Sequence, residues 1–263
     1  MDADAIRGAA HAVADAARQA VLPYFRIAGL GADNKMYDGS FDPVTEADRA
    51  AETAMRAVLA NLRPDDAILG EEFGMQSGLS GLTWVLDPID GTRAFLSGAP
   101  TWGVLVAVSD ETGPIYGIID QPYIGERFEG GLGCAAFAGP RSPTPLRVRG
   151  DRPLAESILF TTFPEVGTPE EGAGFAQLTH HVKLTRYGLD CYAYAMLAAG
   201  QIDLVVEAGL HAYDICAPIA VIEAAGGVVT DWKGRPAHGG GRVLAAAGHE
   251  QHAAALEILS RVT

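Results

Sequence analysis

Trp84-Val-Leu-Asp87-Pro-Ile-Asp90-Gly-Thr92-Arg-Ala-Phe95 is the stretch whose reading decides the rest of the chain. Its apolar opening, Trp84-Val-Leu86, predicts a buried strand. The strand is expected to stop at Asp87, with Pro88 and Gly91 marking a tight turn. Thr92 is placed to cap a short helix through Phe95. Two carboxylates, a free carbonyl at Ile89 and a helix N-terminus make a turn able to hold a cation and an anion side by side. Hard cations such as Mg²⁺ take oxygen ligands and keep waters that a phosphate can replace, and a helix start favours the anion. Asp-Pro and Asp-Gly are also ordinary turn dipeptides, so the turn alone leaves both readings open.

Upstream, Ala67-Ile-Leu69 reads as a strand ending in Gly70-Glu71-Glu72. Before it, Thr45 followed by Asp48 predicts a capping box with Asp48 at N3, and Ala51, Met55, Val58, Leu59 and Leu62 continue an apolar helical stripe to Pro64. Residues 4–22 are an Ala-rich helix closed by Pro23. Residues 28–42 form a polar loop containing Lys35, a residue that either reaches a site or lies on the surface.

Downstream, Trp102–Val108 and Ile115–Ile119 predict a hairpin, extended by 127–129 and 134–138. Gly131-Leu-Gly-Cys-Ala-Ala136 matches a loose dinucleotide fingerprint, but Gly139-Pro140 follows where a helix is required. A glycine-rich hairpin fits better. The proline-rich residues 140–145 separate an α+β half, 1–142, from an α/β half, 143–263. In the latter, strands at 158–161, 182–185, 202–206, 228–230 and 243–246 alternate with helices near 170–179, 190–199, 214–225 and 250–261. His249-Glu-Gln-His252 lacks the spacing that puts two imidazoles on one helix face, and reads as an exposed helix start. His180-His181 reads as surface.

The 263 residues carry a formal net charge of −14. Such a balance disfavours a nucleic-acid groove or an anionic membrane as partner, and a phosphate substrate would need a cation to approach. Three cysteines without Cys-x-x-Cys spacing fit neither a disulfide scaffold nor a zinc site;. The start, Met1-Asp-Ala-Asp-Ala-Ile6, lacks the basic and apolar regions of a signal peptide, and a cytoplasmic protein is expected.

Asp48, Glu71, Asp87/Asp90 and Asp214 all fall at the ends of strands or helices, where sites gather in sheet-based folds. Each has a local explanation; Asp214 at a helix start would serve as an N-cap. Gly70-Glu71-Glu72, Asp87-Pro-Ile-Asp-Gly-Thr92 and Tyr213-Asp214…Glu223-Ala-Ala-Gly-Gly227 resemble the signature set of the inositol monophosphatase family, in order and over nearly the whole chain. The resemblance implies a layered αβαβα fold, a homodimer and a metal-dependent phosphatase. It implies two or three Mg²⁺ ions on Glu71, Asp87, the Ile89 carbonyl, Asp90 and Asp214. The backbone of Gly91 and Thr92 would hold the phosphate, and Asp48, Glu71 and Thr92 would serve the attacking water. The reaction would be direct in-line hydrolysis of a small phosphorylated alcohol.

Arg186-Tyr-Gly-Leu-Asp190-Cys-Tyr192 and Thr230-Asp-Trp232 depart from the inositol-specific pattern and resemble the histidinol-phosphate phosphatase branch, as does Phe41–Asp48. The distal end of histidinol phosphate is cationic, and Asp190 and Glu207 would supply carboxylates suited to it. Arg186 would pair with the phosphate or with Asp190. The rival readings are an inositol-1-phosphate or broad sugar-phosphate phosphatase and, from another class, a non-catalytic regulator on the same fold.

Overall fold

The computed structural model describes residues 2–27, 31, 33–34, 43–140 and 144–262. Lys35 and the Phe41-Asp42 pair lie outside them, and within the expected polar loop residues 33–34 form a short strand. Helix α1 (Ala3–Val21) starts on Asp2, whose side chain accepts from the amides of Asp4 and Ala5. Its Ile6, Ala10, Val13, Ala17 and Val21 are buried, spaced by three and four onto one stripe;. Strands β1 (Asp33–Asn34) and β2 (Pro43–Val44) pair with each other. Helix α2 (Glu46–Leu62) opens with the expected box: Thr45 caps, and Asp48 at N3 accepts from the Thr45 amide. The expected stripe fails at its end, where Leu62 is exposed, and it omits Glu52, which is fully buried.

The first sheet comprises β3 (Ala67–Gly70), β4 (Gly74–Gln76), β5 (Thr83–Asp90), β6 (Gly103–Asp110), β7 (Gly113–Gln121), β8 (Glu126–Gly131), β9 (Cys134–Ala138) and β10 (Thr144–Pro145), with α3 (Thr92–Ser97) between β5 and β6. Its order is β10-β9-β8-β7-β6-β5-β3-β4, antiparallel except for β3 beside β5. Two expectations for the opening stretch are corrected. β5 does not stop at Asp87 but runs to Asp90, with its pairing to β6 interrupted between these two residues. Pro88 sits in that interruption, where its missing amide breaks no ladder bond. Thr92 is the first residue of α3 and not its cap; Gly91 holds that place at φ 88°.

The second sheet follows from β11 (Ile158–Thr161), α4 (Pro169–Thr179), β12 (Leu184–Tyr187), α5 (Cys191–Ala198), β13 (Leu204–Leu210), α6 (Ala212–Ala224), β14 (Val228–Thr230), β15 (Gly241–Ala246) and α7 (His249–Leu259). Its order is β12-β11-β13-β15-β14, parallel across β12, β11 and β13 and antiparallel beyond. The edge strand β12 lies two residues later than expected, because its largely exposed residues carry no clear alternation. Asp214 is corrected from cap to N3: α6 begins at Ala212, and Asp214 accepts from the His211 amide at 2.6 Å. The start of α7 is exposed only at His249 and Glu250. Gln251 and His252 are buried, and His252 meets the Thr230 hydroxyl at 2.9 Å.

Five layers result. α1 and α2 cover one face of the first sheet, α5 and α6 lie between the two sheets, and α4 and α7 cover the far face of the second. This is the αβαβα sandwich. The middle layer is held close: a Cβ on Gly117 of β7 would stand 2.6 Å from the carbonyl oxygen of Ala217 in α6. Residues Ile215–Ile222 of α6 are buried on every side, and the core there draws on Val85, Leu105, Ile119 and Phe128 of the first sheet and Val205, Val243 and Ala245 of the second. No helix among the described residues is long and apolar enough to cross a membrane.

Candidate active site

The ends of β3, β5 and β13 and the start of α6 open on one cavity of about 450 Å³, within the ~300–1,000 Å³ usual for small-molecule sites. One ligand oxygen each from Asp87, Asp90 and Asp214 lie within 4.8 Å of one another. β5 delivers the first two on either side of its interruption, and α6 delivers the third. Asp87 is buried, and its carboxyl is held well above the usual range, first by burial and then by the charges of Glu71, Asp90 and Asp214. Asp90 is raised likewise by burial, Asp190 and Asp214, although the Cys191 amide donates to its Oδ2 at 2.5 Å. Carboxylates crowded this way repel one another, which raises their affinity for a proton or a cation;. An all-oxygen donor set gathered this closely fits the chemistry of a hard divalent cation;.

Glu71 follows β3, where its amide donates to the Leu86 carbonyl at 3.2 Å. The turn beyond it is fastened by Glu52, a residue the sequence reading did not single out. The buried Glu52 carboxylate accepts from the amides of Glu72 at 2.7 Å and Phe73 at 3.2 Å, and pairs with Arg56. The Thr92 hydroxyl donates to the Ile89 carbonyl at 3.1 Å and lies 3.5 Å from Asp48 Oδ1. Asp48 is fully buried, and burial pushes its carboxyl up to about 6 against the hydrogen bonds from Thr45. Its capping duty and its place behind Thr92 therefore coexist.

Asp190 and Glu207 also line the cavity. Asp190 holds the N-cap position of α5 at φ 48°, but its side chain makes no capping bond. It is packed so closely on Gly91 that a Cβ there would stand 2.8 Å from its carboxyl carbon. Burial raises it to about 6. Glu207 ends the regular pairing of β13 and accepts from the amide and hydroxyl of Thr162 and from the Thr161 hydroxyl. Burial nonetheless pushes it up to about 7.

A carboxyl raised on folding stabilises the protein while protonated and withdraws that stability as pH climbs through its folded value. Glu207→Gln is therefore expected to match the wild type at pH 4 and to be more stable by on the order of 2 kcal/mol above pH 7, the difference opening between the unfolded and folded values. Thermal melts of the metal-free proteins across that range check this, and a gap that is constant with pH would contradict it.

Of the residues expected from sequence, Glu71, Asp87, Ile89, Asp90, Gly91, Thr92, Asp190, Glu207 and Asp214 meet at this cavity. Arg186 does not. It is exposed on the edge strand β12, paired in register with Phe160, and lies outside the lining. The cavity's arginine is Arg93, and Thr162, Phe163, Tyr194 and His211 also line it. These escaped notice because single residues next to a motif carry no periodic signal. For Tyr194, its place as one of two phenols in a helix of otherwise apolar residues was the available cue.

Residues 2–262 match the sequence pattern of the inositol monophosphatase family. The bifunctional phosphatase IMPL2, chloroplastic, of Arabidopsis thaliana is 38% identical over 88% of this chain, and the chain spans 66% of that longer protein. The histidinol-phosphatase of Streptomyces coelicolor is 35% identical over 91% of both chains. Among solved structures, an inositol monophosphatase from Zymomonas mobilis superposes with a TM-score of 0.85 at 39% identity, over 98% of both chains. With layers, order of elements and matched length all in agreement, the chain belongs to the inositol monophosphatase family.

Proposed function

We propose that the protein is a Mg²⁺-dependent phosphomonoesterase whose preferred substrate is L-histidinol phosphate. The observation that carries this reading is the convergence of two sets of carboxylates on one cavity: Asp87, Asp90 and Asp214 within 4.8 Å of one another, and Asp190 and Glu207 in the same lining. Glu71, Asp87, the Ile89 carbonyl, Asp90 and Asp214 would hold the cations. Bound there, Mg²⁺ supplies neutralisation of the phosphate and acidification of a water.

The chain's own groups do the rest. The first amides of a helix lack partners within it, and those at Gly91 and Thr92 orient the phosphate. The Thr92 hydroxyl, between the Ile89 carbonyl and Asp48, is set to relay a proton to the buried Asp48 carboxylate. Asp190 and Glu207 receive the amine and imidazole of the leaving alcohol. The carboxylates that remain after cation binding suit a cationic substrate better than a neutral polyol, which favours histidinol phosphate. The 39% identity to the Zymomonas mobilis enzyme supports a second reading, hydrolysis of inositol 1-phosphate.

Phosphate release from histidinol phosphate and inositol 1-phosphate, measured side by side with Mg²⁺ and with chelator, tests both. Chelation is expected to abolish release, and kcat/KM for histidinol phosphate to exceed that for inositol 1-phosphate about tenfold or more, as a charge pair desolvated in a pocket allows. Equal turnover of the two would overturn the substrate assignment. Absence of Mg²⁺-stimulated release from either would overturn the phosphatase reading.

A further inference from the structure

We propose that the ring of Phe163 is the platform on which the planar cationic group of the substrate docks, and that Arg93 occupies this platform in the free protein. The inference rests on the proposed substrate class and names the residue that would select it. Phe163 follows β11 and lines the cavity with 41% of its surface exposed. Single exposed apolar side chains are ordinary. A phenyl ring in a cavity that also presents Glu71, Asp87, Asp90, Asp190, Glu207 and Asp214 is less so. Such a ring has one favourable use in that setting, because its face attracts a cation.

That use is already realised. The Arg93 guanidinium carbon stands 4.9 Å from the centroid of the Phe163 ring, inside the ~6 Å over which a cation is held. The two residues come from opposite halves of the molecule, Arg93 from α3 beside the first sheet and Phe163 from the loop after β11 in the second. Among the described residues lining the cavity, Arg93 carries the only permanent positive charge. It acts on Asp190 too, opposing the burial that raises that carboxyl. The protein's own planar cation thus lies over the ring and acts electrostatically on an acid assigned to the substrate.

An imidazolium reproduces this arrangement. It is flat, its charge is delocalised, and its N–H groups point outward in the ring plane. Stacked on Phe163, it offers those edges to carboxylates such as Asp190 or Glu207 while its face meets the ring. Inositol has neither the charge nor the plane. Arg93 is anchored on α3 by a long flexible side chain, so an entering imidazolium can displace its guanidinium without moving backbone.

Calorimetric titration of L-histidinol, which lacks the phosphate, into the Mg²⁺-loaded full-length protein separates this proposal from the turnover assignment. Phe163→Leu is expected to weaken binding about fivefold or more, Phe163→Tyr to retain it within about twofold, and Arg93→Met to tighten it about threefold by vacating the ring. In steady-state assays, Phe163→Leu should raise KM for histidinol phosphate about fivefold more than KM for inositol 1-phosphate. Failure of the wild type to bind L-histidinol, wild-type binding by Phe163→Leu, or equal KM changes for both substrates would each overturn the platform. Weaker binding by Arg93→Met would overturn its placeholder role. A wild type that binds L-histidinol through Phe163 yet hydrolyses both esters equally would uphold the platform and refute the substrate assignment.

Discussion

Asp90→Asn is expected to lower kcat by about 1,000-fold and, in the same molecule, to raise the melting temperature of the metal-free protein. The first effect follows from the loss of one anionic oxygen from a cage whose members lie within 4.8 Å. A bound divalent cation is worth several kcal/mol to a phosphoryl transition state, and about 4 kcal/mol is a thousandfold in rate. The second effect has the opposite sign because the cage is strained without its cation. Asp90 is raised by burial and by the charges of Asp190 and Asp214, so its ionised form works against folding once pH exceeds its folded value. An amide removes that charge and keeps an oxygen to accept from the Cys191 amide, now 2.5 Å away. Phosphate release at saturating Mg²⁺ and calorimetric melts in chelator give the two readouts. A wild-type rate would remove Asp90 from the metal assignment, and a lower melting temperature in chelator would refute the electrostatic account.

The second large effect is expected at a glycine outside the cavity lining. Gly117→Ala should lower the melting temperature by roughly 2–12 °C, from an overpacking cost of about 1–3 kcal/mol at about 2–4 °C per kcal/mol. The added Cβ would stand 2.6 Å from the Ala217 carbonyl oxygen and 2.8 Å from its Cα. Both are backbone atoms, so no rotamer relieves the contact; α6 itself must shift. Asp214 lies on the first turn of that helix, three residues before Ala217, and its oxygen would leave the cage with it. Activity should therefore require more Mg²⁺, with an activation midpoint raised about tenfold by a misplaced ligand. Unchanged melting and an unchanged Mg²⁺ midpoint would show that α6 is not gauged by the sheet beneath it.

What the sequence revealed and what it hid divide along physical lines. The Asp48 capping box was legible because it is local, a hydroxyl and a carboxylate three residues apart. Glu71, Asp87, Asp90 and Asp214 were legible because each sits at the end of a strand or the start of a helix, where sites gather in sheet folds;. The exit of β5 was misread because proline normally ends a ladder, whereas here it fills an interruption in one. Asp214 was placed at the cap and not at N3 because His211 is not a usual capping residue. Arg186 drew attention as the nearest cation before Asp190, but β12 leaves it exposed at the sheet edge. For Glu52, Arg93 and Phe163 the contacts that tie them to the site join residues distant in sequence, the amides of Glu72 and Phe73 for the first and each other for the last two, and spacing along the chain does not show those contacts.

The helical slab between the two sheets also sets a schedule for synthesis. Leu105, Ala107, Ile119 and Phe128 belong to strands finished before residue 140, but the helices that cover them span Cys191–Ala198 and Ala212–Ala224. At about 5–20 residues per second, the nascent chain leaves the ribosome with that greasy surface bare for on the order of ten seconds. Aggregation competes most strongly in this interval, before the finished enzyme exists, and a chaperone that shields the half-made sheet would raise the yield of protein more than any change to the native fold.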